Sequence, residues 1–313
     1  MKKFLTAFYF LFALPFFLLN AQSFTHDYLN RNKSIEERIE NVLSLMTLEE
    51  KVAMCHAQSK FSSAGVPRLG IPEIWMDDGP HGLREEGLWD SWGSAGWTTD
   101  SCTAFPALSC LAATFNPSRS YDYGIAVGEE ARYRKKDILL GPGVNIYRTP
   151  LNGRNFEYMG EDPYLAARMS VPYIQGVQQN GVAACVKHYA LNNQEKWRFH
   201  INVNLSERAL HEIYLPAFKA AVEDGQVWTI MGSFSQLRGQ YCCHNDLLLN
   251  KILKSDWKFD GVVVSDWGGV HNIRVKLHSM GWILKWEAIP MRWMQVKQMR
   301  TIDIFSVVHF LIY

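Results

Sequence analysis

Five short apolar runs set the main constraint on what this chain can fold into: Ile74-Trp75-Met76, Ile138-Leu139-Leu140, Val182-Ala183-Ala184-Cys185-Val186, Val227-Trp228-Thr229-Ile230-Met231 and Val262-Val263-Val264. Each is short and largely apolar, which suits a strand covered on both faces, as in parallel sheets. Helix signals fall between and before them. Ser34-Ile35-Glu36-Glu37 and Thr47-Leu48-Glu49-Glu50 are capping boxes that open two helices, the first with Ile35, Ile39, Val42, Leu43 and Met46 along one face. Asn116-Pro117 and Asp162-Pro163 each set a capping side chain before a proline at the first helical position, and Ser206 and Asn245 cap two further helices. Asn180-Gly181, Asp224-Gly225 and Asp260-Gly261 end helices just before strands. This alternation predicts parallel α/β architecture, in which binding groups gather beyond the carboxyl ends of the strands. An open doubly wound sheet shares the alternation, but its G-x-G-x-x-G first turn follows none of the runs.

The residues that follow the runs carry chemistry. Gly261 and the three valines deliver Ser265-Asp266-Trp267-Gly268-Gly269, placing the Asp266 carboxylate where a buried strand opens into a loop. Two readings stand side by side for it, a reactive acid at a strand end and a cap for the next helix. Asp77-Asp78-Gly79-Pro80-His81-Gly82-Leu83-Arg84 puts two acids, two glycines and a guanidinium in one loop. That set suits recognition of a polyhydroxyl ligand, and a turn with a surface ion pair is the plainer alternative. Lys187-His188 follows the third run, where charge is costly unless paired or used. Adjacent strand residues face opposite ways, so both can line one site only if the strand has ended there. Gly153-Arg154 aims a second guanidinium at the same end, whereas Asp162 reads as a helix cap and Glu161 as an ion-pair partner. No His-Glu-x-x-His spacing and no Gly-x-Ser-x-Gly elbow occurs, so neither a metal nor another cofactor is expected.

Net charge is +1, from 32 basic and 31 acidic side chains, so no global field draws the protein to nucleic acid or an anionic surface. Aromatic residues make up 13% of the chain, compatible with a neutral sugar partner whose C–H faces pack on aromatic planes, although core packing accounts for them equally well. Met1-Lys2-Lys3, the apolar residues 4–19 and Asn20-Ala21-Gln22 match a secretory signal over 1–21, cut after Ala21. The expectation is an exported protein, periplasmic or extracellular, without lasting membrane insertion; a retained anchor is the competing reading. Cys55, Cys102, Cys110, Cys185, Cys242 and Cys243 match no zinc spacing and receive no pairing. Residues 273–313 break the style of what precedes them, with six basic against two acidic residues and no succession of strand, glycine turn and capped helix. This atypical tail reads first as a frame-shifted stretch and second as a basic membrane-surface segment.

Taken together, the stretch from Asp78 to Arg84, Gly141-Pro142-Gly143-Val144-Asn145, Gly153-Arg154, Gly160-Glu161-Asp162-Pro163, Lys187-His188 with Asn192-Asn193-Gln194-Glu195, and the stretch from Gly261 to Gly269 resemble the amino-terminal barrel of glycoside hydrolase family 3, β-glucosidase type. The resemblance covers residues 34–272 and implies a TIM-like (β/α)8 barrel domain over 22–272, incomplete at its carboxyl end, with Asp266 closing the seventh strand and the eighth missing. It implies a carbohydrate substrate and retaining hydrolysis of β-glucosidic bonds. Asp266 is then the catalytic nucleophile, and Asp78, Arg84, Arg154, Lys187 and His188 bind the sugar beside the cleaved bond. A retaining glycosidase also needs a protonated group about 5 to 5.5 Å from its nucleophile. Lys187, Arg84 and Arg154 should hold the acids here ionised, so the resemblance places that group elsewhere, on a Glu of a following α/β sandwich domain. The family branch that cleaves N-acetylhexosamine linkages carries Pro-Gly-His-Gly where this chain has Tyr189-Ala190-Leu191-Asn192-Asn193. Phe234-Ser235 stands where many relatives have Tyr followed by Asn, so a hydroxyl able to bond the nucleophile is missing. The alternatives are an inactive sugar-binding fragment without its acid, and specificity for another sugar such as xylose.

Overall fold

The computed structural model describes residues 26–271 and the strand Ile283–Leu284. The signal expected over 1–21 and all of the tail except those two residues lie outside the described residues. Near the start, both capping boxes form as the sequence predicts. Ser34 and Thr47 accept the Glu37 and Glu50 N–H groups, whose carboxylates accept the Ser34 and Thr47 N–H in return. They open α1 (Ile35–Leu45) and α2 (Leu48–Met54). Then come β1 (Ser62–Ser63), β2 (Ile74–Asp78), α3 (Leu108–Ala112), α4 (Pro117–Tyr133), β3 (Ile138–Leu140), α5 (Pro163–Gln178) and β4 (Ala183–Tyr189). The remainder is β5 (Asn202–Val203), α6 (Glu207–Ala209), α7 (Pro216–Glu223), β6 (Thr229–Gly232), β7 (Gln236–Leu237), β8 (Gln240–Tyr241), β9 (Val262–Ser265) and β10 (Ile283–Leu284). A π-helix, Leu247–Asp256, joins β8 to β9.

Seven strands form one curled half-barrel sheet in the order β1-β2-β3-β4-β6-β9-β10, parallel except where β1 meets β2. All five apolar runs are strands of it. Two features depart from the expected barrel. The sheet opens with an antiparallel pair, so Asp266 follows the fifth of its parallel strands and not the seventh. And β10, in the stretch where no strand was expected, pairs with β9, whose edge would otherwise carry open N–H and C=O groups. The small sheet β5-β7-β8 is built from the segments that follow β4 and β6, on the carboxyl side of the main sheet.

Strand residues alternate between two cores, as a period of two requires. Ile138, Leu140, Ala183, Cys185, Met231, Val262 and Val264 face inward with Ile74 and Met76, against Ile39, Val42 and Leu43 of α1 and Met54 of α2. Leu139, Ala184, Val186, Ile230 and Val263 face outward, against Val127 of α4, Ile174 of α5 and Phe218 of α7. Asn116, Asp162, Ser206 and Asn245 each accept a backbone N–H at a helix start, as read from sequence. The Asp260-Gly261 stop is displaced: the helix ends at Asp256 and the chain reverses at Lys258, in the left-handed region at φ 59°.

The α4–α5 contact depends on glycine. A Cβ on Gly176 would lie 2.4 Å from the Tyr121 carbonyl oxygen, and one on Gly124 would lie 2.3 Å from that of Tyr173. Helix propensity alone favours alanine over glycine by about 1 kcal/mol, but overpacking against backbone costs about 1–3 kcal/mol and wins here. Gly176→Ala should therefore lower the urea midpoint; a midpoint at or above that of the parent would show that the helices separate freely.

Candidate active site

Three of the residues singled out in the sequence continue the inward face of their strands beyond the core. Asp78 follows Ile74 and Met76 on β2, Lys187 follows Ala183 and Cys185 on β4, and Asp266 follows Val262 and Val264 just after β9. Asp77 therefore points to the outer side, where it accepts the Arg84 N–H and burial pushes its carboxyl up to about 7. His188 breaks the alternation. It lines the same cavity as Lys187 although β4 has not ended. The register slips between Val186 and Tyr189 against β6, a bulge that turns His188 inward. Asn145 holds the bulge by donating to the His188 carbonyl at 3.0 Å and accepting the His188 N–H at 2.8 Å. The loop after β3 passes so close that a Cβ on Gly143 would meet the Glu157 carbonyl oxygen at 2.6 Å.

Arg154 begins a single 3-10 turn, Asn155–Glu157, which folds Glu157 back onto its guanidinium. The two form a bidentate pair, Nε to Oε2 at 2.6 Å and Nη2 to Oε1 at 2.7 Å. Lys187 Nζ lies 3.1 Å from Glu157 Oε1 and 3.0 Å from Asp78 Oδ1. Burial opposes the charge of Arg154, Glu157 and Lys187, but the mutual attraction overcomes it: the Glu157 carboxyl is held well below the usual range and Lys187 above its own. Arg154 Nη2 also lies 3.0 Å from His188 Nε2. Because a guanidinium only donates, Nε2 accepts and the ring proton sits on Nδ1, which donates to the Tyr158 hydroxyl at 3.2 Å. Burial first, then the Arg154 and Lys187 charges, drives the His188 pKa far down and keeps the ring neutral.

Asp266 is buried at the end of this network but does not join it. Its N–H continues the ladder to the Gly232 carbonyl, and its Oδ1 accepts the Trp267 N–H at 2.8 Å. Oδ2 has no hydrogen-bond partner among the described residues; His188 Nε2 stands off at 3.6 Å. No helix begins between Trp267 and His271, so the capping role is excluded. The nearby cations do not hold every acid here ionised, contrary to the expectation from sequence. They do so for Glu157, whereas burial pushes Asp266 up to about 7 against the pull of Arg154 and Lys187. Both cations already have Glu157 at closer range, and Lys187 has Asp78 as well.

A cavity of about 320 Å³ opens above these groups, lined by Asp78, Arg154, Lys187, His188 and Asp266. Phe61, Trp92 and Trp267, which pack on one another with centroids 5.3 to 5.9 Å apart, form one aromatic group along it. Phe199 and Phe234 form another, 4.6 Å apart, with the Arg198 guanidinium against both. Arg84 is the one expected ligand that the lining lacks. Its guanidinium stacks on Phe61 and Trp92, and its Nη2 donates to the Trp92 carbonyl, so it supports the aromatic wall from behind. Sequence reasoning missed Glu157, Arg198 and Trp267. Trp267 sat inside a quoted motif, one residue after Asp266, and Glu157 lay three residues beyond the quoted Gly153-Arg154. Arg198 carried no signal, since its place depends on a loop turned by Trp197 at φ 63°. No disulfide joins the cysteines among the described residues, and no metal-binding cluster of His, Cys, Asp and Glu occurs among them.

The family model for the glycosyl hydrolase family 3 N terminal domain matches residues 40–281, running nine residues past Asn272, the end of the resemblance read from the motifs. The chain is similar to Beta-glucosidase BoGH3A of Bacteroides ovatus, 67% identical over 245 residues that make up 78% of this chain and 33% of that protein. It is also similar to an exo-α-(1→6)-L-arabinopyranosidase of Bifidobacterium longum, 41% identical over 239 residues, 75% of this chain and 31% of that one. Among solved structures, β-glucosidase 3B from Thermotoga neapolitana in complex with glucose matches with a TM-score of 0.77 at 34% identity, covering 87% of this chain and 41% of that one. The chain thus spans about a third of the length of the curated relatives it matches.

Asp266 makes stability depend on pH with a definite sign. Its folded pKa of about 7 exceeds the ordinary 3.8, so the folded state keeps a proton that the unfolded state releases. Stability from this group is full below pH 4 and is lost as pH rises to 7, at about 1.4 kcal/mol per unit at most. Asp266→Asn should match the parent in denaturant midpoint at pH 4 and exceed it at pH 8. A gap that is equal at both pH values would contradict the burial argument.

Proposed function

The chain belongs to glycosyl hydrolase family 3, and from that premise we propose that it supplies the nucleophile and the sugar clamp of a retaining β-glucosidase. The observation that carries this reading is the Asp266 carboxylate, one oxygen without a hydrogen bond, at the base of a cavity ringed by Asp78, Arg154, Lys187 and His188. In the proposed reaction Asp266 Oδ2 attacks the anomeric carbon, the glycosidic C–O bond breaks, and water later hydrolyses the glycosyl ester. Asp78 and one N–H of Lys187, whose other two donors face Asp78 and Glu157, bind ring hydroxyls. The leaving oxygen needs a proton. Glu157 is held ionised and cannot give it, and Asp78 is paired with Lys187, so the acid is proposed to lie outside the described residues. The relative at 67% identity is named a β-glucosidase and the one at 41% an arabinopyranosidase, which supports glucose over a pentose. Export through a signal over 1–21 is part of the proposal, supported by the basic start and the apolar residues 4–19. No helix among the described residues is long and apolar enough to cross a membrane.

Two measurements test this reading. An activated 2,4-dinitrophenyl 2-deoxy-2-fluoro-β-glucoside needs no acid to depart, so at pH 8 it should add one fluoroglucosyl group to the chain, on the peptide that contains Asp266. The rate should fall as pH drops below about 7, as the carboxylate takes up its proton. Label on another residue, or an undiminished yield in Asp266→Asn, would contradict the assignment. Sequencing of the mature exported protein should begin at Gln22, and a sample that retains Met1 would contradict export with cleavage.

A further inference from the structure

We infer that Glu157 is a positioning residue that occupies Arg154 and Lys187 and so keeps Asp266 out of an ion pair. The inference rests on the nucleophile reading of Asp266 and extends it to a residue for which the sequence suggested no role.

Three observations carry it. Glu157 is buried, and each of its oxygens is engaged by a cation: Oε2 by Arg154 Nε at 2.6 Å, Oε1 by Arg154 Nη2 at 2.7 Å and by Lys187 Nζ at 3.1 Å. The same guanidinium lies 3.0 Å from His188 Nε2, itself 3.6 Å from Asp266 Oδ2, so the nucleophile is one short movement from the cation. Even so, Asp266 Oδ2 is buried without a hydrogen bond. A lone pair locked into a bidentate Arg pair attacks carbon poorly. The geometry gives that position to Glu157 and leaves Asp266, which lines the cavity, with one oxygen free of a hydrogen bond. The charged and titratable groups acting on Asp266 are Arg154, Lys187, Asp78, His188, Cys185 and Cys243. Those acting on or through Glu157 are Arg154, Lys187, His188, His81 and Tyr158.

Removing the Glu157 charge should release both cations toward Asp266. An opposite charge coming within about 4–6 Å lowers a carboxyl pKa by about 1–3 units. The experiment is a ¹³C-carboxyl NMR titration of the aspartate-labelled chain, with the Asp266 resonance assigned by its loss in Asp266→Asn. In Glu157→Gln the Asp266 titration should fall by at least about one pH unit, and fluoroglucoside labelling at pH 7 should slow at least tenfold despite the larger ionised fraction. Glu157→Asp, which keeps the charge but withdraws it by one methylene, should move both readouts in the same direction by less, and it stands in if the glutamine variant does not fold. An Asp266 titration unmoved in folded variants overturns the inference, because a purely structural Glu157 would leave it in place. Absence of labelling in the parent chain would instead sink the nucleophile reading, and the NMR titration would still decide the part played by Glu157.

Discussion

The ion cluster of Glu157 with Arg154 and Lys187 is the interaction on which the rest of the site depends. Each isolated ion at this depth would cost several kcal/mol of lost hydration. Pairing offsets that cost only because the geometry is tight, with a bidentate guanidinium fork and an ammonium shared between two carboxylates. One consequence is structural: the turn Asn155–Glu157 and strand β4, far apart in sequence, are fixed to one another at the cavity floor. The other is electrostatic. With Glu157 and Asp78 at closer range, the two cations offset only part of the penalty of burial on Asp266, and its carboxyl is pushed up to about 7 despite two positive neighbours.

The fold delivers these groups through the plainest property of a strand. Alternate residues face one way, so Asp78, Lys187 and Asp266 emerge as polar continuations of inward-facing apolar rows. Where the alternation would have sent His188 outward, the bulge against β6 corrects it, and Asn145 bonds both backbone groups of that residue to hold the correction. The segments after β4 and β6 then pair as the small sheet β5-β7-β8 and bring Phe199, Phe234 and Arg198 over the floor as a wall. Phe234, which lines the same cavity, has no hydroxyl to offer Asp266, in keeping with the unbonded Oδ2.

Much of this was legible in the chain. The five apolar runs became strands, the capping boxes at Ser34 and Thr47 opened their helices, and the clusters after the runs came together at one end of the sheet. What escaped depends on contacts between distant segments. The slip that brings in His188 is set by pairing with β6, which no local pattern in Lys187-His188 reveals. The stacking of the Arg84 guanidinium on Phe61 and Trp92 likewise depends on segments outside its own loop, which no local pattern around Arg84 reveals. Glu157 lay in view three residues after Arg154, but its value follows only from the approach of Lys187 at the end of the neighbouring strand β4. The antiparallel entry through β1 and the pairing of β10 were equally invisible, since a two-residue strand carries no periodicity.

The proposed function requires one spatial relation above all: a sugar in the cavity at the strand ends with its anomeric carbon beside the unbonded oxygen of Asp266. A crystal structure of the protein with glucose tests it directly. The account predicts a pyranose in the 320 Å³ cavity, its C1 facing Asp266 Oδ2 and its hydroxyls on Asp78 and Lys187. Glucose bound elsewhere, or in the cavity with C1 turned away from Asp266, would contradict it.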